Sequence, residues 1–162
     1  MGGKLADDVQ QKRPFHSLEE EAFLNLARTY EHLSGRIAEL LKSYQLTTTQ
    51  YNMLRILRGA GEEGVTCSQA TERMLSPDPD ITRLLDRMEA QGLIRRGRSR
   101  EDRRVVITRI TERGLELTNR IAEPLDQLFQ RYVGRAGQEA LQALIGTLEA
   151  LRQPLTSERK EE

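Results

Sequence analysis

Between residues 66 and 110 the hydrophobic period changes from that of a helix to that of a strand, and a double proline breaks the helical part in two. The break is Ser76-Pro77-Asp78-Pro79-Asp80. A residue before proline is driven out of the α region, so the segments on either side cannot be one helix. Upstream, Thr66 with Gln69 three positions on is a capping pattern that opens a short helix over 66–75. Downstream, Asp78 as N-cap and Pro79 as first helical residue restart a helix. Ile81, Leu84, Leu85 and Met88 supply its buried stripe, and Gly92 ends it. Leu93–Arg98 and Arg104–Ile110 then read as two strands joined by the polar turn Ser99–Arg103.

Two short helices joined by a tight break, followed at once by a hairpin, make a winged helix-turn-helix. The flanks are helical. Ser17 with Glu20 starts a long helix, in which Phe23, Leu26, Tyr30, Leu33, Ile37 and Leu40 recur at spacings of three and four up to about residue 43. A second Thr-x-x-Gln cap, Thr47 to Gln50, opens a helix over about 48–58 with Tyr51, Leu54 and Leu57 inward. After Thr111 comes a helix carrying Leu115, Ile121, Leu125, Leu128, Phe129 and Tyr132, with Pro124 inside it as a kink or joint. A last helix spans about 138–152, striped by Leu141, Leu144, Ile145, Leu148 and Leu151, and Pro154 is expected to stop it. The expected fold is therefore mainly α with a small β-hairpin wing. Residues 1–16 read as a flexible lead-in, 46–110 as the reading head, 17–45 and 111–153 as a helical dimerisation region, and 154–162 as a frayed tail. The long flanking stripes exceed what so small a reading head can cover, and burial in a homodimer accounts for them.

Charge separates the functional classes. Lys+Arg and Asp+Glu both number 25, so bulk charge says nothing about nucleic acid. Local charge does. From Gly92 to Arg104 stand six arginines, no lysine, and only Glu101 and Asp102 in opposition, a net +4 within 13 residues. Arginine suits phosphate forks and a narrow minor groove. A solvated hairpin whose charges protect its edges would carry such a run too; its place directly after a helix-turn-helix favours DNA. One cysteine and two histidines, His16 and His32, cannot form a zinc site in one chain, and no cofactor or metal is expected. No nucleophile–base set, Gly-x-Ser-x-Gly or Gly-rich phosphate loop occurs, so an enzyme is not expected. No apolar run reaches the ~18 residues of a membrane span. The N-terminus lacks a secretory apolar stretch, and a lone cysteine fits a reducing compartment, so a cytoplasmic location is expected.

Several blocks occur in order: Leu46-Thr-Thr-Thr-Gln50-Tyr-Asn-Met-Leu54, Thr66-x-Ser68, Ile81 through Arg96, Asp102-Arg-Arg104 and Ile110-Thr-Glu-Arg-Gly114. Together they resemble the MarR family, the multiple-antibiotic-resistance-type bacterial transcriptional regulators. The resemblance implies a homodimer on double-stranded DNA, with the second helix of each helix-turn-helix in the major groove and the wing in the minor groove. It implies that Arg104 inserts into a groove or binds phosphate while Asp102 braces it. Arg83 and Arg87 match basic positions of the recognition helix, and Asp86 an acidic one expected to hold a wing arginine. Thr82 is a base or phosphate candidate, and Arg98, Arg100 and Arg103 are DNA candidates by their place in the wing. The resemblance also implies a small aromatic or phenolic effector, for which Tyr30, His32, Arg36 and Tyr51 are candidate ligands. Asp78-Pro79-Asp80 departs from the family, where small or basic residues are common: the carboxylates either cap the helix without touching a base or accept from a cytosine amino group. Two competing readings are a winged-helix module that binds protein rather than DNA, and a redox switch built on Cys67, whose thiol sits near a helix N-terminus.

Overall fold

Side-chain caps fix where the helices begin. A computed structural model describes residues 4–76, 78–99 and 101–158. The order is α1 (Lys4–Asp8), α2 (Leu18–Ser43), α3 (Thr48–Ala60), β1 (Val65–Thr66), α4 (Cys67–Arg73), α5 (Ile81–Ala90), β2 (Ile94–Arg98), β3 (Val106–Ile110), α6 (Glu112–Tyr132), a 3₁₀ turn (Gly134–Ala136) and α7 (Gln138–Glu158). The mainly α fold with a small β wing is as the sequence predicts. Thr47 with Gln50 and Thr66 with Gln69 both form complete capping boxes at α3 and α4. At α2 only half the box forms: Ser17 accepts from the Glu20 amide, but Glu20 accepts from the amide of His16.

Four details differ from the sequence reading. The cap of α5 is Asp80, not Asp78; Asp78 instead accepts from the Asp80 amide, an Asx turn that uses Pro79 to enter the helix rather than begin it. Pro77 lies outside the described residues. The segment read as a loose lead-in contains α1, whose Leu5 is buried. The helix α7 continues past Pro154, because one proline removes one backbone bond, a cost that a long helix can carry; of the tail read as frayed, 159–162 lie outside the described residues. Finally, the hairpin is a three-stranded antiparallel sheet of order β1-β3-β2. β1 is two residues long and doubles as the cap of α4, too short to leave a period of its own.

The chain divides into two units, one ending at Ile121 and the other starting at Ala122, two residues before Pro124 inside α6. In the first unit Leu41, Met53, Leu54, Leu57, Val65, Leu84, Met88 and Ile94 are buried, so α3, α4, α5 and the sheet close over one aliphatic core. Phe23, Leu26 and Tyr30, the N-terminal half of the α2 stripe, are exposed. In the second unit Phe129, Tyr132, Leu144, Ile145 and Leu151 are exposed as well.

Candidate nucleic-acid interface

The helix α5 buries Leu84, Leu85 and Met88 and turns Thr82, Arg83, Asp86 and Arg87 outward. This follows from helical spacing, since positions three and four apart share a face. Arg83 is 82% exposed; its Nε lies 3.1 Å from Asp80 Oδ2. Arg87 folds back, its Nε donating to the Arg83 carbonyl at 3.2 Å. Thr82 is exposed.

Beside α5 stands the wing. In β2, Ile94, Arg96 and Arg98 share one face, because strand side chains alternate. Ile94 enters the core, which aims Arg96 toward α5. There its Nε and Nη2 donate to Glu89 Oε2 at 2.9 and 2.7 Å, and Nη2 also donates to Asp86 Oδ1 at 2.6 Å. The Arg96 amide donates to Glu89 Oε1 as well, at 2.9 Å. The Arg96 hydrogen bonds hold the Glu89 carboxyl below its ordinary pKa, and the two carboxylates raise that of Arg96. Asp86 therefore sits on a wing-strand arginine, and Arg96 is withdrawn from the free charge that the composition of the segment suggests. Glu89 was not among the candidates; its position three residues after Asp86, on one helical face, was the signal that could have found it.

The tip of the wing is closed by short local bonds. Asp102 Oδ1 accepts from the Arg104 amide at 2.9 Å, and its carbonyl accepts from the Val105 amide at 3.0 Å. Asp102 thus meets Arg104 through the backbone, shaping the turn that presents the guanidinium. Arg98, Arg103 and Arg104 are exposed, and among the described residues no side-chain partner holds their guanidinium groups. Arg100 lies outside the described residues. At the other edge Arg109 Nε donates to the Glu62 carbonyl at 2.7 Å, tying β3 to the turn before β1.

The four effector candidates lie on two helices, α2 and α3. Tyr30, His32 and Arg36 are exposed along α2, and Arg36 pairs with Glu39 at 3.2 Å. Tyr51 is buried on α3. A cleft of about 460 Å³ in the first unit is lined by other residues, among them Tyr44, Gln91, Leu93, Arg113 and Arg120. Cys67 is exposed as the first residue of α4. Among the described residues there is no cluster of metal-ligating side chains, and no helix is long and apolar enough to cross a membrane.

Comparison with known proteins converges on one family. The model of the MarR family matches residues 44–105. The HTH-type transcriptional repressor IacR of Pseudomonas putida is 32% identical over 133 residues, 82% of this chain and 78% of the relative. The crystal structure of a MarR transcription factor from Planctomyces limnophilus superposes with a TM-score of 0.65 at 39% identity, over 84% of this chain and 98% of that one. BpsR of Bordetella bronchiseptica, whose DNA binding is regulated by 6-hydroxynicotinic acid, shares the fold with a TM-score of 0.75 at 20% identity, over 87% and 99% of the two chains. These relatives are transcriptional regulators rather than enzymes. With its outward-facing recognition helix and arginine-bearing wing, the chain belongs to the MarR family of DNA-binding transcriptional regulators.

Proposed function

We propose that this protein is a homodimeric, ligand-responsive repressor that binds a pseudo-palindromic operator, with α5 in the major groove and the wing in the minor groove. One observation carries the DNA-reading part. The Arg96–Glu89–Asp86 cluster ties the wing strand β2 to α5, next to the exposed face of that helix. Thr82, Arg83 and Arg87 are the groove-facing candidates of the helix, and Arg98, Arg103 and Arg104 those of the wing, with Arg100 assigned on sequence alone. Asp86 and Asp102 brace the wing, one by ion pairing and one by shaping its turn.

Dimerisation is supported by the uncovered apolar side chains of α2 and of the second unit. Each large apolar side chain withdrawn from water contributes about 1.5–3 kcal/mol, and a second copy is the partner that every such chain has at hand. Effector response is supported by the cleft beside Tyr44, where Arg113 and Arg120 offer cationic partners for an aromatic anion and Gln91 is the C-cap of α5. Tyr30, His32, Arg36 and Tyr51 are not among the residues that line this cleft. Repression follows the naming of the Pseudomonas relative.

The test is titration of operator DNA at several salt concentrations with Arg104→Ala and Asp102→Ala. Arg104→Ala is expected to cost about 1–3 kcal/mol of binding and to lower the logarithmic salt slope by about 0.9. Asp102→Ala is expected to weaken binding although it removes a negative charge, because the turn presenting Arg104 loses its side-chain bond. Wild-type binding by Arg104→Ala together with tighter binding by Asp102→Ala would reduce the wing to a basic, solvated hairpin.

A further inference from the structure

The start of the recognition helix holds a pair of acidic residues where repulsion of phosphates is the obvious consequence. Their geometry indicates a different use. Asp78 Oδ1 accepts from the Asp80 amide at 2.9 Å and so fixes the backbone of Asp80. Asp80 then uses its two oxygens separately. Oδ1 accepts from the Arg83 amide at 3.3 Å, which is the helix cap. Oδ2 forms an ion pair with the Arg83 guanidinium, its Nε at 3.1 Å. A guanidinium has two donor edges, one made by Nε with a terminal nitrogen and one made by the two terminal nitrogens. With Nε turned toward the carboxylate in an ion pair, the Nη1–Nη2 edge has no partner among the described residues. Arg83 is in the first turn of α5, and N-terminal residues of a recognition helix are those that reach base edges. Two parallel N–H donors match the O6 and N7 acceptors of guanine in the major groove.

We infer that Asp80 is a specificity-determining positioning residue: it caps α5 and holds Arg83 by Nε so that the terminal guanidinium edge reads a guanine in each half-site. This rests on the reading of α5 as the major-groove helix. Arg87 provides the contrast. It lies one turn on and donates to the Arg83 carbonyl, with no carboxylate partner among the described residues, and it contributes charge rather than base choice.

The experiment begins by selecting binding sequences from a random DNA pool with the full chain, then titrating the selected site and point-substituted versions of it. A G·C pair preferred in each half-site is expected, with a loss of roughly fivefold to hundredfold in affinity on replacing that guanine by 7-deazaguanine, which lacks N7. Arg83→Lys retains a charge for phosphate but not the fork; it should bind the selected site less tightly and lose the discrimination at that pair alone. Asp80→Ser retains a good N-cap and removes the hold on Nε; it should keep the fold and reduce the same discrimination, while Arg87→Ala weakens all sequences alike. Wild-type discrimination in Arg83→Lys would make Arg83 a phosphate contact and overturn the inference. Uniformly tighter binding by Asp80→Ser, with base preferences unchanged, would leave Asp80 a repulsive cap and overturn it too. A cytosine preference that survives Arg83→Lys and vanishes in Asp80→Ser would assign the readout to the carboxylate instead. In these three outcomes sequence-specific binding itself stands; a pool that yields no enriched sequence overturns both the inference and the operator reading.

Discussion

Arg96 joins the two elements that face DNA, and truncating it to alanine is the sharpest perturbation of that joint. Three side-chain bonds to carboxylates are lost, of 2.9, 2.7 and 2.6 Å. A shielded hydrogen bond to a charged group contributes about 1.5–3 kcal/mol, whereas an exposed ion pair contributes about 0–1. The Arg96, Glu89 and Asp86 side chains are 27%, 38% and 54% exposed, so solvent screens the Asp86 arm most and the Glu89 arm in part. The sum expected for Arg96→Ala is therefore about 1–1.5 kcal/mol. For a chain of this size that lowers Tm by about 3–5 °C at fixed protein concentration. Operator affinity should fall further than stability does, since β2 loses its tie to α5 and the wing must be ordered on binding. Arg95→Ala is the control: Arg95 is exposed on the opposite face of β2 and should change stability by less than about 0.5 kcal/mol. Thermal unfolding and operator titration of both variants decide the matter. If Arg96→Ala melts and binds like wild type, or if Arg95→Ala is as harmful, the cluster does not couple wing to helix.

Glu89 adds a pH signature: its pKa is lowered on folding by Arg96, so its stabilisation is full above the ordinary carboxylate value of about 4.3 and disappears as the pH falls through the lowered one. Thermal unfolding between pH 3 and 7 should therefore show a shallower acid limb in Glu89→Gln than in wild type, and identical limbs would discount the pair. Gly64→Ala should destabilise by roughly 2–5 kcal/mol. Its backbone has φ +71°, and a Cβ there would collide with the Thr108 carbonyl oxygen and lie 2.7 Å from Arg109 Cγ; urea unfolding with a midpoint unchanged from wild type would show that the β1–β3 edge yields easily.

Helix existence and type were legible because they rest on local chemistry: the boxes at Thr47 and Thr66 and the stripe Leu84–Leu85–Met88 each declare themselves within a few residues. What needed three dimensions was less legible. Asp78 and Asp80 are equally good caps by type, and only the Asx turn between them decides which one closes the helix. The two residues of β1 exist as a strand only because β3 pairs with them. Candidate site residues adjacent in the chain, such as Asp102 and Arg104, could be linked from the sequence. The partnership of Glu89 with Arg96 depends on which face of β2 enters the core. The four effector candidates came from the crevice that the MarR resemblance implies, and one of them, Tyr51, is buried on α3. The stripe of α2 was visible as a period, yet half of it finds no cover within its own unit, and no single-chain argument supplies the missing partner.

The proposed binding mode requires two copies presenting α5 and wing to symmetric half-sites. The direct measurement is footprinting of the selected operator combined with sedimentation of the saturated protein–DNA complex. Two chains per duplex are expected, protecting inverted half-sites whose centres lie about 10 base pairs, one helical turn, apart. One chain per duplex at saturation, or a protected sequence without inverted symmetry, would contradict it.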